Sequence, residues 1–366
     1  MRKLATIRQI SNIEPIDGAD KIELATIDGW QCVVGKGEFN KDDLCVYFEI
    51  DSILPVRDCF EFMAKRHYRV KTAKFLKQIS QGLVMSINDI VLVNGKKITK
   101  YNLGDDVTEL IGITKHDPQV DKEFRGTSRK KLNPIISWMF RYEWFRRLYP
   151  SKARKTWPLF IKKTDEERIQ NMPSYIKHTG LVYITEKLDG TSATYFYNKH
   201  KFGVCSRNIW LQRETNNKWW HIAKLYGIKN KLKSCKRSIY IQGEIIGQGI
   251  QKNRYNIKDV DFYVFNVVDI KTNTSYNFKE LQMFCNNYNF KMVPSLFTGM
   301  VYLKELFPNQ SLLLSLQEII EFSGKDNSKL ANVLREGIVV RDAVSNDINK
   351  LSFKVVNPHF LLKHGE

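Results

Sequence analysis

The sequence predicts a two-domain fold that begins with a small β-barrel. At 366 residues the chain exceeds what one compact core usually holds, so two domains are expected. Residues 1–105 contain short apolar runs separated by turn signals, which is typical of strands. From about residue 106 the pattern changes to a polar and then basic, aromatic connector. We therefore predict a β domain over 1–105, a linker over 106–155 and a second domain over 156–366.

Five apolar runs predict the strands of the first domain. They are Leu4–Ile7, Ile22–Ile27, Gln31–Val34, Leu44–Ile50 and Val91–Val93. Asp28-Gly29 and Asn94-Gly95 are the strongest turn signals, because these residue types supply the positive φ angles that tight hairpins need.

A basic run lies within the first domain, from Arg69 to Lys77. In strand geometry Arg69 and Lys71 would share one face and could contact phosphates. A solvated strand edge protected by lysines would have the same composition. Both interpretations stay open from the sequence.

The linker is basic and rich in aromatic residues. Residues 125–163 contain twelve Lys and Arg against the single acid Glu143. Apolar residues recur at helical spacing between Leu132 and Leu148, which predicts an amphipathic helix with a basic outer side. Packing between the domains, direct RNA contact and, less favoured, a peripheral membrane helix are the alternatives.

The charge balance favours a polyanionic partner. Lys and Arg number 58 against 39 Asp and Glu, a net charge of +19. Nucleic acid is the first candidate. No stretch reaches the roughly 18 uninterrupted apolar residues of a membrane span, and the N-terminus has no signal-peptide core. We expect no membrane partner and a monomer.

The cysteines indicate an intracellular protein. Six of them are scattered along the chain without a Cys-x-x-Cys pair or a neighbouring pair of histidines, which argues against structural zinc. Without an export signal they are expected to be reduced thiols of a cytoplasmic or nuclear protein.

The stretch from Thr185 to Thr191 contains the strongest candidate for a chemical group. Leu181–Ile184 resemble a buried strand, and Asp189-Gly190 then turns the chain. Lys187 is therefore expected to be exposed at the end of a strand, where a lysine can act as a nucleophile. Taken alone, Lys-x-Asp-Gly is equally compatible with an ordinary surface turn.

Five further elements follow Lys187 in order. They are Ser206–Asn208, Gln242–Gly247, Phe262–Val267, Glu336–Arg341 and Ser352–Asn357. Together they resemble motifs I, Ia, III, IIIa, IV and V of the covalent nucleotidyltransferases, which include DNA ligases, RNA ligases and mRNA capping guanylyltransferases. The resemblance covers roughly the C-terminal 210 residues. It implies antiparallel sheets with flanking helices, an ATP-grasp-like ligase fold, and so an α+β class for the chain.

Two other regions narrow the resemblance. The run Trp157–Asn171 is similar to one that precedes motif I in RNA ligases of the Deinococcus and Naegleria type. Segments around Asp17–Glu23, Gly35–Gly37 and Asp51–Pro55 resemble an OB-type domain that precedes the transferase domain in such ligases. OB barrels commonly bind single strands or strand ends.

The resemblance implies a role for each motif residue. Lys187 would attack ATP and carry AMP, Lys354 would contact the α-phosphate, and Glu244, Glu336 and Asp189 would hold Mg²⁺ or Mn²⁺ or its waters. Asp189 could alternatively orient a ribose hydroxyl. Three further residues would contact the nucleotide: Arg207 its ribose or phosphate, Phe265 its adenine face, and Glu186, with the region of Gln170, the adenine edge.

One motif departs from the family pattern. Motif V often has lysines two residues apart, but Ser352 stands at the first position and only Lys354 matches. Lys350 would share the strand face of Lys354, two residues too early to fill the missing position.

These observations predict an ATP-dependent RNA ligase that seals 3′-OH and 5′-phosphate RNA ends or nicks through a lysyl-AMP intermediate. Its relatives imply a ribonucleotide on the 3′-OH side. A capping guanylyltransferase and a catalytically inactive RNA-binding protein are the alternatives. All motifs lie after residue 160, so the sequence also predicts that self-adenylylation does not need the N-terminal domain.

Overall fold

The computed structural model describes residues 3–116, 154, 155, 157–163, 165–211 and 217–364. The predicted helix from Leu132 to Leu148, and with it most of the basic linker, lies outside these residues. Within them, no helix combines the length and the apolar character needed to cross a membrane.

The N-terminal region is built mainly from short strands. They are β1 (Ala5–Gln9), β2 (Asn12–Pro15), β3 (Ile22–Ile27), β4 (Trp30–Gly35), β5 (Leu44–Phe48), β6 (Ser52–Ile53), β7 (Ala73–Phe75), β8 (Gln78–Ser80), β9 (Leu83–Ser86) and β10 (Thr114–Lys115). They form the antiparallel sheets β1-β5-β9 and β2-β3-β4 and the pairs β7-β8 and β6-β10. Helix α1 (Thr108–Ile111) and the 3₁₀ helices Asp58–Arg66 and Ile87–Asp89 complete this region.

Strand β5 is central to this region because both of its faces are buried. Val46 and Phe48 pack in one hydrophobic cluster, whereas Cys45 and Tyr47 pack in another with Trp30 of β4. A strand buried on both faces needs a continuous apolar run rather than an alternating one. This explains the sequence Leu-Cys-Val-Tyr-Phe.

Four of the five predicted strands are confirmed, as β1, β3, β4 and β5. The fifth, over Val91–Val93, is wrong. Val91 makes a single bridge to Lys97, and the amide of Gly95 already donates to the carbonyl of Leu92 at 3.0 Å. The predicted turn at Asn94-Gly95 is therefore present, but it leaves too few residues for a ladder.

The basic run from Arg69 to Lys77 is not one continuous strand. The strand β7 begins only at Ala73, and Arg69 instead pairs with Asp51 at 2.8 Å. Strand geometry is therefore wrong for Arg69 and Lys71.

The C-terminal region contains longer strands and most of the helices. Its strands are β11 (Arg154–Lys155), β12 (Glu167–Arg168), β13 (Leu181–Lys187), β14 (Thr191–Asn198), β15 (Lys201–Cys205), β16 (Trp210–Leu211), β17 (Ile239–Gly247), β18 (Val260–Asp269), β19 (Thr274–Ser275), β20 (Lys291–Met292), β21 (Val301–Tyr302), β22 (Gly337–Asp342) and β23 (Ser352–Val356). Its helices are α2 (Lys218–Leu225), α3 (Ile228–Ser234), α4 (Phe278–Asn287), α5 (Leu303–Leu306), α6 (Leu312–Gly324), α7 (Pro358–His364) and the 3₁₀ helices Ile169–Asn171 and Pro173–Lys177.

Two mainly antiparallel sheets form the frame of this region. One has the order β11-β16-β15-β14-β17-β18-β19, with β20 also paired to β18, and the other has the order β12-β23-β22-β13-β21. Each sheet has its own hydrophobic core. The chain passes from one sheet to the other between β13 and β14, through residues 188–190. The expected α+β architecture of antiparallel sheets with flanking helices is confirmed.

The N-terminal region packs directly against the C-terminal region. The indole of Trp30 donates to Asn171 at 2.9 Å, and the guanidinium of Arg168 lies 5.7 Å from the Trp30 ring centroid. Arg168 also pairs with the buried Glu49 at 3.5 Å. Buried aromatic and charged contacts of this kind fix one region against the other.

The β3–β4 turn explains a glycine at this interface. Asp28, rather than Gly29, adopts the positive φ angle, at 49°. A Cβ atom on Gly29 would lie 2.1 Å from Cδ2 of Leu316 and 3.2 Å from Cα of Gln170. Gly29 is therefore required for the close approach of helix α6, not for turn geometry.

Replacing Gly29 with alanine should weaken the packing of the two regions. Overpacking a well-filled contact typically costs about 1–3 kcal/mol, and we expect a loss of that size in thermal unfolding. Gly299→Ala is the matched control, because no atom lies within 4 Å of its added Cβ. In a Leu316→Ala background, the Gly29→Ala change should cost less. Equal costs in both backgrounds would contradict the proposed contact.

Candidate active site

Lys187 is the last residue of β13, at the point where the chain crosses from one sheet to the other. The predicted strand end is confirmed. The side chain of Lys187 is only 26% exposed, so it is more buried than the sequence predicted. The turn fits closely against β17. A Cβ on Gly190 would lie 2.4 Å from the carbonyl oxygen of Ile245, so the turn needs glycine there.

The side chain of Lys187 lines a cleft with a cavity volume of about 250 Å³. Both regions of the chain contribute walls to this cleft. Its charged lining residues are Asp51, Arg69, Lys115, Asp165, Glu166, Arg168, Glu186, Lys187, Asp189, Arg207, Glu244, Glu336, Arg341 and Lys354. The structure thus brings together eight of the predicted site residues in one place: Glu186, Lys187, Asp189, Arg207, Glu244, Phe265, Glu336 and Lys354.

A carboxylate contacts the candidate nucleophile directly. The amino group of Lys187 donates to Oε1 of Glu336 from motif IV. Burial acts to lower the pKa of Lys187, but Glu336, Glu244 and Asp189 together raise it above its ordinary value. The charged groups nearest to Lys187 are thus carboxylates rather than cations.

Glu244 from β17 is the second carboxylate near Lys187. Burial raises its pKa to about 8, Lys187 opposes this, and Glu336 adds to it. If Glu336 and the partly buried Glu244 both ionised, the two carboxylates around one lysine amino group would leave an excess of negative charge. This environment favours an additional cation.

Asp189 is engaged by a residue that the sequence did not indicate. The guanidinium of Arg254 pairs with its carboxylate, and both side chains are at least 90% buried. The backbone amide of Asp189 donates to the hydroxyl of Tyr255 at 2.8 Å. The ring of Phe360 in α7 lies 4.7 Å from the guanidinium of Arg254. The turn after Lys187 is thus held from two sides.

A second charge cluster lies at the side of the cleft that faces the N-terminal region. Asp165 receives Lys354 at 3.3 Å, Arg207 at 3.3 Å and Lys115 of the N-terminal region at 2.8 Å. Although burial opposes it, these cations hold the pKa of Asp165 well below its usual range. Arg207 and Lys354, predicted from separate motifs, therefore share one anionic partner.

Phe265 lies against a buried polar network. The guanidinium of Arg341 is 5.3 Å from its ring centroid and pairs with Glu166 at 2.7 Å. The hydroxyl of Ser352 donates to the same carboxylate at 2.6 Å. Burial acts to raise the pKa of Glu166, but Arg341 and Ser352 lower it below its ordinary value.

Of the two residues predicted to contact the adenine edge, one lines the cleft and the other does not. Glu186 lines the cleft, and its carboxylate accepts the backbone amide of Lys329 at 2.8 Å. Gln170 is fully buried beside Gly29 and is not among the cleft residues. Only Glu186 is positioned to face a ligand.

The structure differs from the predicted phosphate and metal site in two details. Lys350 lies before β23 and donates to the carbonyl of Tyr276 at 2.7 Å, so it does not assist Lys354. Among the described residues, no group of three or more His, Cys, Asp or Glu side chains is arranged to hold a metal ion. Asp189, Glu244 and Glu336 therefore do not form a ready three-carboxylate chelate, and Asp189 is bound to Arg254 instead.

Sequence reasoning missed several residues of the cleft. Asp165 and Glu166 lie in the run that resembled RNA ligases, and Arg341 ends motif IV, so position in a motif could have indicated them. Arg254, which pairs with Asp189 but does not itself line the cleft, lies in a polar loop with no motif. Lys115 is far from the other site residues in sequence, and only tertiary packing brings it to Asp165.

Comparisons with known proteins match both parts of the chain. A family model for RNA ligase matches residues 180–356, and a model for an OB-fold domain matches residues 4–87. A search of curated protein sequences gives no match.

Solved structures match the whole chain. An apo RNA ligase from Naegleria gruberi superposes with a TM-score of 0.81 at 32% identity, covering 100% of this chain and 99% of that one. A Naegleria gruberi RNA ligase with ATP and Mn matches with a TM-score of 0.79 at 32% identity, covering 100% and 98%. The same ligase with PPi matches with a TM-score of 0.79 at 33% identity, covering 100% and 99%.

Removing Arg254 should reveal its coupling to Asp189. Breaking a buried ion pair at one partner typically costs about 3–5 kcal/mol, so Arg254→Gln should lower the thermal stability strongly. Asp189→Asn should also destabilise the protein, and the double variant should lose much less than the sum of the two. Calorimetry of the four proteins measures the coupling. Additive losses would show that the two side chains do not stabilise one another.

Proposed function

Because the chain belongs to the RNA ligase family and is an ATP-dependent RNA ligase, we propose that Lys187 is its nucleophile and that the cleft is its ATP site. The observation that carries this proposal is the convergence of Lys187, Glu244, Glu336, Arg207 and Lys354 on one cleft. These residues come from five separate parts of the sequence.

The first step is transfer of AMP to the protein. The amino group of Lys187 attacks the α-phosphorus of ATP, a phosphorus–nitrogen bond forms, and the bond to the β-phosphate breaks to release pyrophosphate. Attack requires neutral Lys187, since a protonated amine has no free electron pair. Glu336 contacts the amino group directly and can accept its proton. AMP then passes to an RNA 5′-phosphate, which the RNA 3′-hydroxyl attacks with release of AMP.

The cations at Asp165 provide the phosphate contacts. Lys354 and Arg207 are held side by side by one carboxylate, and both face the cleft. An incoming triphosphate offers these cations more negative charge than Asp165 does. Lys115 belongs to the same cluster, so the N-terminal region takes part in binding ATP. Phe265 supplies a ring for stacking on the base, and Glu186 supplies an acceptor near its edge.

Glu244 and Glu336 are the residues that fit a divalent cation. Glu244, with its pKa raised to about 8 by burial, lacks enough neighbouring positive charge. Oxygen ligands of this type suit Mg²⁺ or Mn²⁺. The cation would neutralise the triphosphate and draw negative charge away from Lys187. Asp189 contributes by orienting the turn through Arg254.

The RNA substrate is a nick or a pair of ends with a ribonucleotide on the 3′-OH side. The net charge of +19 supports a polyanionic substrate, and the OB-fold domain supports binding of strand ends. We further propose a monomer that acts inside the cell. All six cysteines are free thiols, which supports that location.

Lys187→Ala should abolish covalent labelling by α-labelled ATP with Mg²⁺. Lys187→Arg should fail as well, because a guanidinium stays protonated and cannot attack. Lys350→Ala is the control, since Lys350 is bonded away from the cleft. Labelling by GTP in place of ATP would favour a capping guanylyltransferase, and wild-type labelling of Lys187→Ala would assign the AMP to another lysine.

Lys115→Ala tests whether the N-terminal region helps to bind ATP. Its removal leaves Asp165 with two cations and takes one positive charge from the cleft, so the KM for ATP in self-adenylylation should rise several-fold. Lys100→Ala, an exposed change in the same region, should leave the KM unchanged. If both variants had the same KM for ATP, self-adenylylation would be independent of the N-terminal domain, as the sequence predicts.

A further inference from the structure

Helices α2 and α3 form a surface with only positive charge. Residues 218–237 contain seven Lys and Arg and no Asp or Glu. The apolar side of the two helices is buried in the core through Ile222, Ile228 and Leu232. The outward side exposes Lys224, Lys229 and Lys233, and the segment after α3 exposes Lys236 and Arg237. We call these five residues the lysine surface. Among the described residues, none of these five forms an ion pair.

The charge pattern works against helix stability. Neither helix has an acidic residue in its first turn, and Lys229 lies in the first turn of α3. Cations near a helix N-terminus are unfavourable, and like charges four residues apart, such as Lys229 and Lys233, repel each other by about 0.2–0.5 kcal/mol. An ordinary solvated helix surface mixes both signs of charge. The packing of α3 therefore does not account for these lysines.

The acidic residues near the helices already have other partners. Asp261 binds Lys291 at 2.6 Å and also accepts from the hydroxyl of Tyr226. Asp259 lies 3.4 Å from His221. Among the described residues, no Asp or Glu carboxylate forms an ion pair with the lysine surface, so its positive charge faces solvent and can meet an anionic ligand.

Helix α2, which carries Lys224 of the lysine surface, begins beside the active-site cleft. Lys218 at the start of α2 donates to the carbonyl of Gln248, and its side chain contacts Gly249. Two residues further along this loop, Gln251 lines the cleft. The N-terminal region lines a different part of the same cleft, through Arg69 and Lys115. A polyanion that reaches Lys187 can therefore contact positive charge on both flanks.

We propose that the lysine surface binds the phosphate backbone of the RNA duplex beside the nick, while the N-terminal region holds the other flank. This inference rests on the proposed function. The contacts are to phosphates and so are independent of sequence. They act in nick binding and play no part in the reaction with ATP.

The test is a triple variant, Lys229→Gln, Lys233→Gln and Lys236→Gln, in the full chain. Lys218 and Lys231 are left intact because they bond to backbone carbonyls. Binding of a labelled nicked RNA duplex with a 3′-deoxy end is measured by fluorescence anisotropy. In a salt series from about 50 to 200 mM, each lost phosphate contact should reduce the log–log slope by about 0.9, or about 2.7 for three. The rate of self-adenylylation should stay at the wild-type value.

A second triple variant controls for net charge. Lys271→Gln, Lys279→Gln and Lys304→Gln remove three exposed lysines from other elements and should leave the slope unchanged. If the two triple variants give the same slope, the lysine surface is only a solvated face and the inference fails. A wild-type protein that neither reacts with ATP nor binds nicks would instead overturn the proposed function. A slope lowered only in the first variant supports the inference.

Discussion

The structure of the cleft depends on charge balance around one half-buried lysine. Lys187 needs neighbours that can take its proton, and Glu336 and Glu244 provide them, but a lysine and two carboxylates leave negative charge in a low-dielectric site. Asp189 would increase that excess if it were not paired with Arg254. The motif residues around Lys187 would thus, when ionised, carry more negative than positive charge. A loop outside every motif supplies the permanent counter-charge through Arg254, and the divalent cation that we propose at Glu244 and Glu336 would supply the rest.

The packing of the two regions also affects the charge balance around Asp165, on the side of the cleft that faces the N-terminal region. Asp165 pairs with cations from two motifs and with Lys115 of the N-terminal region, so the cluster is complete only when the two regions are docked. Docking in turn relies on close contacts such as Gly29 with Leu316 and Trp30 with Arg168. The N-terminal region, which looks separable in sequence, therefore forms a wall of the cleft. Composition could not reveal this, because neither Lys115 nor Gly29 differs from an ordinary surface residue in sequence.

Local signals in the sequence predicted local structure well. The strands β1, β3, β4 and β5, the strand ending at Lys187 and the order of the later motifs follow from hydrophobic pattern and motif spacing. Val91–Val93 has the same pattern but forms only one bridge, because strand formation also needs a partner strand within reach. Arg254 and Lys350 illustrate the same limit for the site. Which lysine or arginine faces the cleft depends on tertiary contacts that no local pattern encodes.

At motif V, Ser352 stands where the family often has a lysine, and the neighbouring residues explain why a serine fits there. Arg341 and Ser352 are directly paired across β22 and β23, so their side chains share one face of the sheet. The guanidinium of Arg341 already occupies that face and pairs with Glu166, the carboxylate that Ser352 also contacts. A lysine in place of Ser352 would add a second cation beside Arg341 and the single, partly buried carboxylate of Glu166, at a desolvation cost that its pairing would not offset. A hydroxyl adds a hydrogen bond without a charge. The serine therefore fits the network behind Phe265, and Lys354, two residues further on the same face, is left for the phosphate contact that we propose.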